Sequence, residues 1–194
     1  GKLLHNALVW QDTRTQDICD ELKNMDQLDD DLAKTGLPIA TYFSLSKILW
    51  LLRNVNDVKQ AKLDNDLCFG TIDSWLIYKF TGNHVTDVTN ASRTLLMDLN
   101  SLTWLDSVIK MLDIPKNALP AIKPSLFSYG TNKKILKNVP ITAVLGDQQA
   151  SLFGHNCIST GDVKNTYGTG CFALTNTGSE IVNSNNGLLS TVAY

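Results

Sequence analysis

Apolar residues along the chain alternate between helical spacing and short strand-like runs, and the two kinds of segment are not evenly spread. Ala7-Leu8-Val9-Trp10 reads as a short buried strand. After it, Asp12 or Thr13 is placed to cap a helix whose inner face carries Ile18, Leu22 and Met25. Thr35-Gly36-Leu37-Pro38 is turn chemistry. Leu45, Ile48, Leu49, Leu52 and Val55 then follow the i, i+3, i+4, i+7 rule and predict a helix. A further helix is expected from Thr71, with Ile72, Trp75, Leu76 and Phe80 on its inner face and Gly82 just past its end.

Polar residues crowd the stretch from Asp87 to Thr94, which reads as a loop short enough to be tucked into a cleft. Thr103-x-x-Asp106 is a capping-box variant, and Leu105, Val108, Ile109 and Leu112 behind it predict a helix that Pro115 closes. Residues 116–138 carry Pro120, Pro124 and Gly130 without a clear period and read as connection. Pro140 to Leu145 predicts a buried strand bounded by Gly146, and a short helix is expected around Ala150 to Phe153. Beyond it the period changes. Val163 to Tyr167, Phe172 to Asn176 and Leu188 to Tyr194 predict a three-stranded meander, so a domain boundary is placed near residues 150–158.

Composition narrows the class without naming a chemistry. Of 194 residues, 43% are hydrophobic and 19% charged, with a net charge of -2, which is ordinary for a globular domain. There is no basic surplus to hold nucleic acid and no apolar run long enough to span a bilayer. The start, Gly1-Lys2-Leu3-Leu4-His5, lacks the apolar core and cleavage site of a signal peptide, and the missing Met suggests processing or an excised piece of a longer protein. Cys19, Cys68, Cys157 and Cys171 lie far apart and read as reduced cytosolic thiols. The sequon Asn90-Ala91-Ser92 reads as a chance match, and His5, His84 and His155 have no partner spacing for a metal or triad.

Two segments carry candidate chemistry. Gly146-Asp147-Gln148-Gln149 puts a carboxylate at the carboxyl end of an apolar run, where α/β folds open onto their ligand crevice. Asp147 there is a candidate base for a substrate hydroxyl, and Gln148 offers both a donor and an acceptor to a polyol. The same residues also fit an ordinary turn and helix cap. Tyr167-Gly168-Thr169-Gly170 is a glycine-flanked turn whose N–H groups and threonine hydroxyl suit phosphate oxygens, and which equally fits a plain hairpin. Trp10, Tyr42 and Phe172 fall at element ends, where they could wall a small cleft or simply pack in the core.

Several runs in fixed order resemble the FGGY sugar-kinase family, which shares the actin and Hsp70 ATPase fold. They are Asn6 to Thr15 (NALVWQDTRT), Thr35 to Pro38 (TGLP), Tyr42-Phe43-Ser44, Phe69 to Leu76 (FGTIDSWL) and Thr89 to Thr94 (TNASRT). Gly146 to Gln149 (GDQQ), Lys164 to Phe172 (KNTYGTGCF) and Gly187 to Thr191 (GLLST) complete the set. The resemblance covers nearly the whole chain, and within the family it is to enzymes that phosphorylate glycerol.

It implies an α/β fold: residues 1–151 as the remainder of a ribonuclease-H-like N-terminal substrate lobe, and 152–194 as the first strands of a C-terminal nucleotide lobe left incomplete. The implied reaction is ATP-dependent conversion of glycerol to glycerol 3-phosphate with Mg²⁺. The implied setting is a cytoplasmic, homo-oligomeric parent with glycerol and ATP as partners, no nucleic acid and no membrane span. Asp147 becomes the base, Gln148 and Tyr42 hydrogen-bond the polyol, Trp10 and Phe172 wall its carbon backbone, and Gly168 and Thr169 meet the ATP phosphates. Ligands for the metal are left unassigned.

The family's first phosphate hairpin, its Arg-Glu glycerol pair and its adenine-binding part have no counterpart in the chain, so the isolated chain is expected to be inactive. Leu45 stands where the family usually has a small residue, which implies altered packing near Tyr42. Another carbohydrate kinase of the family and a non-catalytic truncated module are the alternatives.

Overall fold

The computed structural model describes residues 1–132 and 138–194. Its first half is helical. Helices α1 (Gln16–Lys23), α2 (Asp29–Ala33), α3 (Ser44–Asn54) and α4 (Asn56–Leu63) gather around one apolar core. In α1 the buried side chains are Ile18, Cys19 and Leu22, and Met25 packs against the core from just past the helix end. The predicted cap shifts. Thr15 precedes the helix, and its hydroxyl meets Ser46 Oγ at 2.9 Å instead of capping. Asp12 closes a turn of its own, accepting from Arg14 N–H at 3.0 Å and from Arg14 Nε at 2.9 Å.

Helix α3 has the predicted face, with Leu45, Ile48 and Leu49 inside and Leu52 and Val55 at the margin. Burying each such side chain contributes about 1.5–3 kcal/mol. Leu45 is fully buried, and its N–H donates to Thr94 O at 2.9 Å. The larger side chain is thus absorbed by the core, and the backbone ties α3 to the polar stretch before Leu95.

Helix α5 (Ile72–Thr81) runs as predicted, from Thr71 to a left-handed Gly82 at φ 88°. Its buried face is not the predicted one. Ile72 is 69% exposed and Leu76 is exposed, whereas Asp73, Ser74, Ile77 and Thr81 face inward. The reason is polar pairing: Asp73 accepts from Thr71 Oγ1 at 2.5 Å and from Thr86 Oγ1 at 2.7 Å. Hydrogen bonds to a buried carboxylate outweighed the apolar stripe in choosing the face.

The next part alternates strands and short helices. These are β1 (Val85–Asp87), α6 (Val88–Ala91), β2 (Met97–Asp98), β3 (Thr103–Trp104), α7 (Asp106–Met111), β4 (Ala121–Lys123), β5 (Leu126–Thr131) and β6 (Pro140–Ala143). The polar stretch 87–94 is thus tucked in as expected, but as a buried helical turn rather than a loop. The capping box fails because Thr103 belongs to β3, paired with Asp98, and α7 starts after Leu105 without a side-chain cap. The region read as connection holds β4, parallel to β1, and β5, antiparallel to β6. β4 has only three residues and β5 is exposed at four of its six positions, so they carry little apolar period. Residues 133–137 of that region lie outside the described residues. Strand β6 is where expected but ends at Ala143 and is mostly exposed.

Helix α8 (Asp147–Gly154) and a hairpin of β7 (Val163–Tyr167) and β8 (Cys171–Thr175) follow, in register from Val163↔Thr175 to Tyr167↔Cys171. All the described sheets are two-stranded pairs. Two predicted strands do not form. Residues 7–10 pair with no strand among the described residues, Val9 and Trp10 are exposed, and the chain instead turns with Asp12 N–H donating to Val9 O. An extended segment without a neighbour has no ladder to join.

Residues 188–194 likewise form no strand but dock on the helical part. Ser190 N–H donates to Gly36 O at 3.0 Å, Thr191 Oγ1 meets Ser92 Oγ at 2.6 Å, and Gln149 Nε2 donates to Val192 O at 3.1 Å. The Gly36 carbonyl and the Gln149 and Ser92 side chains took backbone hydrogen bonds that a third strand would have needed.

Candidate functional site

The turn into α8 is held from behind by a buried carboxylate. Asp87, fully buried, accepts from the N–H and Oγ1 of Thr89, the N–H and Nδ2 of Asn90, and Ser125 Oγ. Asp87 therefore caps α6 and stitches it to the segment between β4 and β5. Thr89 Oγ1 carries the connection onward: it donates to Asp87 at 2.6 Å and accepts from Gly146 N–H at 2.7 Å. A buried residue is thereby fixed immediately before Asp147. The Asn90 amide is engaged in the same network, consistent with a sequon that serves no glycan.

Asp147 opens α8 with its carboxylate toward solvent, and its Oδ1 accepts from Gln148 N–H at 2.8 Å. Gln149 points inward and donates to Thr191 Oγ1 and Val192 O. Gln148 is gripped from the hairpin: Lys164 Nζ donates to its Oε1 at 2.5 Å and to Thr166 Oγ1 at 2.8 Å. Burial lowers the Lys164 pKa, while the Asp147 charge acts in the opposite direction.

The three rings singled out in the sequence meet. Trp10 lies 5.5 Å from Tyr42 and 6.4 Å from Phe172, the latter pair edge to face. Arg93 completes the cluster, its guanidinium 5.6 Å from the Tyr42 ring and 5.2 Å from that of Phe43. Because Phe172 pairs with Thr166 across the hairpin, the β7–β8 ladder links this wall to Lys164 and Gln148. Arg14 stacks 4.8 Å from Trp50 and holds the Asp12 carboxyl below its usual pKa, which fixes the chain just after Trp10.

Gly168 and Thr169 form the exposed end of the same hairpin, where Gly168 N–H donates to Gly170 O at 3.0 Å. A Cβ on Gly168 would meet nothing closer than 3.9 Å, so its backbone is open to a ligand. A cavity of about 260 Å³ lies away from all these residues, between Gly36-Leu37-Pro38 and Asn183, Ser184 and Gly187. Among the described residues no group of three His, Cys, Asp or Glu is arranged to hold a metal. Each histidine ring instead meets a backbone carbonyl, and the four cysteines are free.

Sequence reasoning missed Asp87, Thr89, Arg93 and Lys164. Asp87 had a signal, an Asx residue directly before a helical turn. Lys164 opens one of the matching runs, but nothing in its strand pattern marks it as buried, since the strand exposes Val163 and Tyr167 and turns the lysine inward.

The helical core, the paired strands and the acid at the start of α8 define an α/β protein of the actin-like ATPase class. Solved structures agree. A glycerol kinase from Plasmodium falciparum with ADP superposes with a TM-score of 0.94 at 43% identity, covering 100% of this chain and 39% of that one. A ligand-bound xylulose kinase from Lactobacillus acidophilus gives a TM-score of 0.73 at 27% identity, covering 88% of this chain and 35% of its own.

The chain belongs to the FGGY family of carbohydrate kinases, whose N-terminal domain matches residues 1–154. Curated glycerol kinases of Chloroflexus aggregans and Roseiflexus are 51% and 50% identical over the whole chain. The chain spans 40% of the length of these relatives.

Proposed function

We propose that this chain supplies the polyol-binding part of an ATP-dependent glycerol kinase. The observation that carries the reading is the meeting of Trp10, Tyr42 and Phe172, three rings from distant segments, on the hairpin that also grips the residue after Asp147. Glycerol has a short carbon face and polar edges. Trp10 and Phe172 take the carbon face, while the Tyr42 hydroxyl and the Gln148 amide take hydroxyls. Similarity to glycerol kinases at about half identity supports the substrate.

Asp147 is the base. The terminal hydroxyl oxygen attacks the γ-phosphorus, the bond from that phosphorus to the ADP oxygen breaks, and the hydroxyl proton passes to the Asp147 carboxylate. Positioning dominates such a transfer, so a helix start fixed through Thr89 and Gly146 is the relevant scaffold. Gly168 and Thr169 offer an open backbone and a hydroxyl to the ATP phosphates. Among the described residues no cage of three acidic, thiol or imidazole groups is arranged for a metal, so a Mg²⁺ would be borne mainly by phosphate oxygens, with Asp147 the carboxylate beside them. Bound there, the ion would neutralise charge on the transferring phosphoryl group.

We place the lobe boundary at residues 151–152, within α8, and the protein in the cytoplasm. Its free thiols, and the lack of any described helix long and apolar enough to cross a membrane, are consistent with that setting.

The test is Asp147→Asn in the full-length kinase containing this chain. The amide cannot accept the proton, so kcat should fall by about 10²–10⁴-fold with the fold retained. An unchanged kcat would move the base elsewhere.

A further inference from the structure

Lys164 is a buried cation to which the proposed reaction gives no part. It is 4% exposed, and it forms none of the ion pairs found among the described residues. Burial lowers its pKa, while the Asp147 carboxylate acts the other way. Its hydrogen bonds go to two neutral groups, Gln148 Oε1 and Thr166 Oγ1.

The chemistry of the contact fixes what the cation does. A glutamine amide has one accepting end and one donating end, and the two are nearly alike in shape. An ammonium only donates. The atom of Gln148 that faces Lys164 is therefore its oxygen, and the –NH₂ end is turned away. A neutral partner with a hydroxyl would leave both orientations open.

We propose that Lys164 is a positioning residue that determines specificity: it locks the Gln148 amide so that only hydrogen-bond donors face the polyol. This rests on the reading of Gln148 as the contact for the hydroxyl next to the reacting one. Three consequences follow from that geometry. The site accepts a ligand oxygen with a free lone pair at this position. It rejects an ammonium there, which has no lone pair and would meet N–H groups head on. Since Lys164 also holds Thr166, which pairs with Phe172, the same cation keeps the amide in step with the apolar wall.

The test uses the full-length kinase, glycerol, and serinol (2-amino-1,3-propanediol), in which an ammonium replaces the central hydroxyl. Lys164→Met should raise the KM for glycerol about tenfold, the worth of one charge-assisted hydrogen bond, with kcat much less affected and thermal stability not lowered. Gln148→Glu keeps an oxygen on Lys164 but presents an oxygen to the ligand. It should shift kcat/KM toward serinol over glycerol by about tenfold or more relative to the wild type.

An unchanged KM in Lys164→Met, or no shift toward serinol in Gln148→Glu, overturns the proposal. Gln148→Ala separates the two levels of inference. If it raises the KM while Lys164→Met does not, the proposal alone falls. If it leaves the KM unchanged, the polyol reading of Gln148 falls as well.

Discussion

Replacing Thr89 by valine removes one oxygen and leaves the shape of the side chain nearly intact. That oxygen does two things: it donates to Asp87 at 2.6 Å and accepts from Gly146 N–H at 2.7 Å. In Thr89→Val the Gly146 N–H stays buried without a partner, which costs about 1–3 kcal/mol. Asp87 loses one bond but keeps those from Thr89 N–H, Asn90 and Ser125, so this loss sits at the low end of about 1.5–3 kcal/mol for a charged acceptor. The two losses share an atom and are not fully additive, so the expected total is about 3 kcal/mol.

Thr89→Ser is the control. It keeps the hydroxyl and sacrifices one methyl, about 1 kcal/mol. Urea unfolding of the two variants side by side should therefore place valine about 2 kcal/mol below serine, and amide exchange at Gly146 should be faster in the valine variant. A valine variant as stable as the serine variant would refute the tether between α6 and the start of α8.

Burial holds the Asp73 carboxyl above its usual value of 3.8, so the native state binds that proton more tightly than the unfolded chain. The stability this gives is full below about 3.9, the unfolded value, and is lost as pH rises through the native one. Asp73→Asn should accordingly gain on the wild type between pH 4 and pH 7, and a pH-independent difference in unfolding free energy would refute this. Gly36 sits at φ 68°, and a Cβ there would meet Leu99 Cδ1 at 2.7 Å and Ser190 O at 2.8 Å. Gly36→Ala should cost about 1–2 kcal/mol and hasten proteolysis within residues 183–194, while an unchanged cleavage rate would count against their docking. Trp10 is 44% exposed, so Trp10→Ala in the full-length kinase should raise the glycerol KM well beyond its small effect on melting temperature.

What the sequence made legible was whatever depends on local pattern. Helix α3 followed its apolar spacing, Gly82 ended α5, and the β7–β8 hairpin was bounded by its own turn. Two of the errors share a cause: partners distant in sequence. The inner face of α5 was chosen by Thr86, and the last residues were claimed by Gly36, Ser92 and Gln149 instead of by a neighbouring strand. The candidate site divides in the same way. Asp147 and the ring residues stand out by motif, whereas their supports do not. Lys164 alternates with exposed Val163 and Tyr167 in a strand that reads inside out, and only the fold shows which side is dry.

The ring cluster has one more consequence. Trp10 packs against both Tyr42 and Phe172, so part of the side-chain freedom that the wall costs is given up in folding rather than at binding. A three-carbon ligand offers too few atoms to organise loose rings around itself. For such a small guest, a wall that stands ready separates a measurable affinity from none, and a substitution that merely loosens the rings would weaken capture without removing a single contact.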